Sequence, residues 1–177
     1  MPGDGAQTEA LIAIGSNIEP EQNIPLALER LSREIRIRDV SAFYWSEAVG
    51  RAGQARFLNG ACAIITSLRP RALKYDMLRG IERAMGRIRT SDKYAARAID
   101  LDIALYGNES IDEEGLLIPD PDISARPFLA IPLAELAPDW SVPGLHVTLS
   151  GIAAACEVRQ LTRADALSRQ LKEKYSR

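Results

Sequence analysis

Strand, helix, strand, strand, helix, strand is the order that hydrophobic periodicity gives along residues 11–106. That order predicts an α+β fold with a ferredoxin-like βαββαβ core, a mostly antiparallel four-stranded sheet with helices packed on it, followed by a small hairpin and C-terminal helices. Two further observations support the class. The 177 residues are 46% hydrophobic, enough for a real core, and there is no internal repeat or low-complexity segment.

Residues 11–15 (Leu-Ile-Ala-Ile-Gly) read as a short buried strand, and Gly15-Ser16-Asn17 after it as a turn or a place where backbone approaches a ligand. Ile24, Ala27, Leu28 and Leu31 recur at helical spacing, which predicts an amphipathic helix over residues 21–34. Residues 35–45 have strand-type residues whose alternation slips near Asp39. Residues 57–66 form the next strand, antiparallel to the second because only the Gly50- and Gly53-containing loop separates them. Leu73, Met77, Leu78, Ile81 and Met85 make the buried stripe of a helix over 71–85, stopped by Gly86. Residues 87–97 carry Arg87, Arg89, Lys93 and Arg97 against Asp92 alone, without hydrophobic periodicity.

The fourth core strand, residues 97–106, alternates Leu101, Ile103 and Leu105 with Asp100, Asp102 and Ala104. Asp100 and Asp102 therefore project from one face. Neighbouring carboxylates repel, so such a pair is either solvated at an edge or neutralised by an Arg, a shared proton or a divalent cation. Hard oxygen ligands on a rigid strand suit Mg²⁺. The basic loop before it is either a solvated face or the partner of a polyphosphate.

Beyond the core, turns at Gly107-Asn108 and Glu113-Glu114-Gly115 predict a hairpin. Residues 119–127 are proline-punctuated, and residues 128–136 read as a short helix broken or begun at Pro132. Short helices over 149–158 and 163–175 end the chain. Residues 1–9 read as a flexible start and 10–177 as one domain, with 160–177 a helical extension.

Charge narrows the function classes. Lys and Arg number 22 against 24 Asp and Glu, a formal net charge of −2, which argues against nucleic acid or an anionic membrane as the main partner. A ferredoxin-like RNA-binding module would share the element order, but paired aromatics on adjacent central strands are lacking. Cys62 and Cys156 lie far apart, with a single His in the chain, so a zinc site is not expected and reduced thiols are. No segment resembles a signal peptide or membrane span, so the cytoplasm is the expected location.

Several motifs in order resemble the 6-hydroxymethyl-7,8-dihydropterin pyrophosphokinase family across residues 11–144. They are Ile14-Gly15-Ser16-Asn17 with the helix carrying Asn23, Val40-Ser41 with Phe43-Tyr44, Phe57-Leu58-Asn59, and Ile81-Glu82 with Met85-Gly86-Arg87 and Arg89. Arg97 with Ile99-Asp100-Leu101-Asp102-Ile103 follows, then Arg126 with Phe128, Pro132-Leu133, Glu135 and Ala137-Pro138. The resemblance implies an ATP-dependent diphosphokinase of folate biosynthesis that passes diphosphate from ATP to the hydroxymethyl group of the pterin and leaves AMP. A paralogue of altered or lost activity that binds a pterin or regulates is the alternative.

By the same resemblance, Asp100 and Asp102 hold two Mg²⁺ ions and, with Arg87 and Arg97, form the catalytic set. ATP falls to Glu82, Arg87, Arg89, Arg97, Ile103, Leu117, Ile118, Asp120 and Arg126, and the pterin to Ser46, Glu47, Val49, Phe57, Asn59, Tyr94 and Phe128. Without the family context, Phe57 and Phe128 would read as core, whereas Asn59 in an apolar strand needs polar partners. The chain departs from the family at Asp120, where His is usual, at Ser46-Glu47 for Thr-Pro, at Tyr94 for an indole, and at Ala95-Ala96 for Gly-Pro. A carboxylate about 6 Å from phosphate would cost on the order of 3 kcal/mol at an effective dielectric of ~20 unless a cation intervenes. The expected partners are the two small-molecule substrates, with the protein a monomer or at most a weak homodimer.

Overall fold

The computed structural model describes residues 6–50, 53–88, 91–92 and 95–176. In chain order the elements are β1 (Thr8–Ser16), α1 (Pro20–Glu34), β2 (Arg36–Val40), β3 (Tyr44–Ser46) and β4 (Phe57–Thr66). Next come α2 (Pro70–Ala72), a π-helical stretch (Leu73–Leu78), α3 (Arg79–Ala84), β5 (Asp100–Tyr106), β6 (Ile111–Glu113) and β7 (Leu116–Ile118). The chain ends with α4 (Pro127–Leu136), α5 (Leu149–Ala154), a 3₁₀ turn (Val158–Gln160), β8 (Thr162–Arg163) and α6 (Asp165–Tyr175).

The main sheet runs β5-β1-β4-β3-β8, with β2 also on β4, and every pairing is antiparallel. Its inner part is the expected βαββαβ arrangement, since the first and third core strands pair centrally and the second and fourth flank them. The sheet has six strands instead of the four expected, for two reasons. The expected strand over 35–45 is two strands, β2 and β3, and the chain adds β8 outside β3.

Local chemistry splits that strand. Ser41 Oγ accepts from the Ala61 amide, while the Ala42 N–H donates to Glu135 and the Phe43 N–H to Ser168 Oγ. Two amides that would continue a ladder are thus turned to side chains. The slip near Asp39 is a β-bulge, a register shift between Ile37 and Asp39 against β4. The Phe43 ring covers Gly60, where a Cβ would stand 2.6 Å from it.

Strand alternation sorts the core into two layers. From β1, Ala10, Ile12 and Ile14 face a layer that also holds Leu28, Leu31, Leu78 and Ile81. Leu11 faces the opposite layer with Ala61, Ala63 and Leu105, covered by Leu129, Leu133 and Leu136 of α4 and Ile152 of α5. Helices therefore cover both sheet faces.

Three expected elements differ in detail. Pro132 neither starts nor breaks α4; Pro127 sits at its first turn, where a missing N–H costs nothing, and Pro132 lies inside it, buried against the core. The helix over 149–158 stops at Ala154. The helix over 163–175 begins at Asp165 because Thr162 and Arg163 pair with Trp45 and Tyr44. Its Leu167, Leu171 and Tyr175 join the first core layer. Among the described residues no helix is long and apolar enough to cross a membrane.

Leu171 is 1% exposed, so Leu171→Ala is expected to cost about 2–4 kcal/mol. A denaturant midpoint unchanged from the parent protein would contradict the core role of α6.

Candidate active site

The face of the sheet that α4 covers at Leu11, Ala61 and Ala63 continues past the start of that helix. There β1, β4 and β5 present Ala13, Gly15, Phe57, Asn59, Asp100 and Asp102 to a cavity of about 410 Å³. One cross-strand row carries the main features. Gly15 pairs with Asn59 of β4 on one side and with Asp100 of β5 on the other, while Ala13 pairs with Asp102. Two strand spacings separate Asp100 from Asn59, about 10 Å.

Gly15 leaves the floor open between them. A Cβ at Gly15 would stand 2.8 Å from Asn59 Oδ1, so any larger residue displaces that amide. Asn59 Nδ2 donates to Ser46 Oγ at 2.9 Å, which orients it. Ser46, Glu47, Val49, Phe57, Phe128, Arg97, Asp120 and Arg126 line the same cavity, so most residues expected to meet the two substrates converge. Arg126 and Phe128 are placed by the N-terminus of α4, and Asn17 fixes the loop before β5 by accepting from the Arg97 N–H.

The carboxylates differ in surroundings. Asp100 is paired with both Arg87 and Arg97. Burial alone would raise its pKa, but the two guanidiniums hold it below the usual carboxylate range. Behind it, buried Glu82 pairs with Arg87 and accepts the Leu101 N–H at 2.9 Å. Glu82 and Arg87 thus brace the strand from behind, and neither lines the cavity. Asp102 is raised above the carboxylate range, first by burial and then by Asp100, with Lys74 opposing. Lys74 Nζ lies 3.1 Å from Asp102 Oδ1.

A second cavity lies on the other side of Asp102, between the β6–β7 hairpin and the π-helical stretch. Ile103, Leu117, Asp112, Lys74 and Asp120 line it. Ile118 points into the core instead. Asp120 borders both cavities. Its pKa is raised by burial and by the Asp102 and Asp122 charges, against the Asp122 N–H that it accepts and the charge of Lys74. The substituted residue therefore faces the site.

Arg89 and Tyr94 lie outside the described residues. Sequence reasoning missed Gln54, Asp122 and Lys74. Only Lys74 had a signal, as a charge set among the apolar positions of the second helix. Among the described residues no three acidic, His or Cys side chains cluster to hold a metal. The Asp100 and Asp102 pair is the candidate ligand set.

The cavity carries paired carboxylates and arginines at one end and an aromatic, amide-bearing slot at the other, a layout suited to a small-molecule phosphotransferase. Residues 11–138 match the model of the 7,8-dihydro-6-hydroxymethylpterin-pyrophosphokinase family, and the chain belongs to that family. It is 40% identical over 156 residues to the 2-amino-4-hydroxy-6-hydroxymethyldihydropteridine pyrophosphokinase of Pseudomonas aeruginosa, covering 86% of this chain and 94% of that one. The Haemophilus influenzae protein of that name is 38% identical over 141 residues, 78% of this chain and 87% of that one. The fold is also similar to Plasmodium falciparum HPPK-DHPS solved with pteroate, with TM-score 0.67, 11% identity and 85% of this chain covered. This chain spans 42% of that longer one.

Asp100 and Asp102 are expected to titrate in two separated steps, Asp100 below the ordinary carboxylate range and Asp102 above it. Asp100 therefore stabilises the fold above that range and loses its contribution as pH falls through its depressed value. Asp102 has the opposite sign: it favours the fold when protonated, and that contribution is lost as pH rises through its raised value. Carboxyl ¹³C shifts followed against pH give the order, and coincident midpoints would refute it.

Proposed function

We infer that the protein transfers the β,γ-diphosphoryl group of ATP to the hydroxymethyl oxygen of 6-hydroxymethyl-7,8-dihydropterin. The new bond joins that oxygen to the β-phosphorus, the bond from the β-phosphorus to the α–β bridging oxygen breaks, AMP leaves with that oxygen, and the hydroxyl proton passes to water. The family of the chain supports the activity. The observation that carries the residue roles is the cross-strand row Asp100, Gly15 and Asn59, which joins the phosphate end of the cavity to the heterocycle end.

At the heterocycle end, the Asn59 amide, held by Ser46, offers a donor and an acceptor to the amide-like edge of the pterin. Phe57 and Phe128 offer apolar faces to the ring, and Glu47 and Val49 complete the loop side, with Tyr94 a further pterin candidate by sequence. At the phosphate end, Arg97 and Arg126 present planar forks to phosphate oxygens, with Arg89 a further candidate. Arg87 acts through Asp100, which it holds ionised. Ile103 and Leu117 offer apolar contact to adenine.

Asp100 and Asp102 fit Mg²⁺, with hard oxygens on one rigid strand face, Asp102 being 40% exposed there with a cation already at its oxygen. When bound, two such ions would neutralise phosphate charge and bring the hydroxyl to the β-phosphorus. The carboxylates, the arginines and the pterin slot come from one chain, in keeping with a monomer whose residues 10–177 act as one domain.

Asp102→Asn keeps an oxygen for Lys74 and is expected to lower pterin-dependent AMP formation on the order of 10²-fold or more with Tm little changed. Turnover equal to the parent enzyme would remove Asp102 from the reaction. Asn59→Ala is expected to raise the pterin KM about 10-fold while the ATP KM stays put. An effect on ATP instead would reverse the two ends of the cavity.

A further inference from the structure

The second cavity is where a polyphosphate would meet its strongest repulsion. Apart from Lys74, its titratable lining groups among the described residues are Asp102, Asp112, Glu113, Glu114 and Asp120. Glu113 is paired with Arg71 at 2.8 Å. Lys74 is the sole cation lining this cavity among the described residues.

Local helix geometry puts it there. Lys74 belongs to the π-helical stretch Leu73–Leu78, in which the Arg79 N–H reaches the Lys74 carbonyl five residues back. The wider turn interrupts the regular buried stripe, a device that recurs at functional sites. Around it, Arg79 stacks on the Tyr75 ring at 4.3 Å and Arg71 at 5.3 Å. The Tyr75 hydroxyl lies so close to Gly115, in the β6–β7 turn, that a Cβ there would be 2.6 Å away. Hairpin and helix are thereby clamped, with the Lys74 side chain, 17% exposed, directed at Asp102.

Charge on the two carboxylates is balanced from opposite sides. Asp100 has Arg87 and Arg97, whereas Asp102 has Lys74 from the second cavity. Lys74 also lowers the charge cost of Asp120, the carboxylate that stands where the family usually has His.

We propose that Lys74 is a nucleotide phosphate ligand of this enzyme, parked on Asp102 in the free protein and moving to a phosphate oxygen when ATP occupies the second cavity. This rests on the pyrophosphokinase reading. It deepens that reading by assigning the cation that offsets Asp120 and by adding a residue to the ATP site. An ammonium on a four-carbon stem can exchange one oxygen partner for another without moving its helix. The exchange also frees an Asp102 oxygen as the phosphates arrive.

The test is calorimetric binding of ATP, AMP and the hydroxymethyl-dihydropterin to the parent protein and to Lys74→Met, Lys74→Gln and Lys74→Arg, with and without Mg²⁺. Lys74→Met is expected to weaken ATP about 10- to 100-fold, AMP markedly less, and the pterin within about 2-fold. Lys74→Arg should restore most of the ATP affinity. The ATP loss should persist in EDTA, where a metal cannot carry it. If Lys74→Met does not fold, Lys74→Gln, which keeps a hydrogen-bond donor for Asp102, gives the same comparison. Equal losses for ATP and AMP, or no loss for either, would overturn the proposal and leave Lys74 a structural ion pair. Parent protein that binds the pterin but no ATP would instead remove the underlying reading.

Discussion

Two like charges on one face of one strand are the constraint around which the site is built. Asp100 and Asp102 share a face because the side-chain period of a strand is two, and neither can stay ionised in a partly buried place without help. The chain supplies that help unequally. Asp100 receives two guanidiniums and a buried Glu82 network that also fixes the Leu101 amide. Asp102 receives a single ammonium and remains 40% exposed. One carboxylate is thus locked by its surroundings and the other is left exchangeable.

The same period of two sets where the cavity can be. Leu11, Ala61 and Ala63 bring α4 down onto one sheet face, and Ala13, Gly15, Asn59 and Asp100 continue that face beyond the helix end. The site needs no separate scaffold. Small side chains at Ala13 and Gly15 keep the floor low, and the flanking strands carry the polar groups.

Much of this was legible in the sequence, for particular reasons. The alternation around Asp100 fixed both the strand and the shared face. Asn59 stood out as an amide in an apolar strand. The slip at Asp39 marked a real bulge. What escaped was non-local. Nothing near Ser41 announces that the Ala42 amide will turn to Glu135 or the Phe43 amide to Ser168, both far along the chain. A two-residue strand such as Thr162–Arg163 has no periodicity to read. Lys74 stands among the apolar positions of its helix, but a helical wheel assumes the α-helical turn that the π-helical stretch abandons, so it does not show which carboxylate the ammonium meets.

The pairing of β8 with β3 also affects how the protein behaves in company. β3 carries Ser46, the orienting partner of Asn59, and would otherwise present bare amides and carbonyls at the rim of the sheet. With β8 laid along it and α6 packed beside β2, that rim is occupied by residues 162–175. An open rim is a template for a neighbouring molecule's strand. Residues 162–175 therefore shield the sheet rim and the Asn59 end of the cavity together, since a foreign strand added at β3 would displace the segment that pairs with Tyr44 and Trp45.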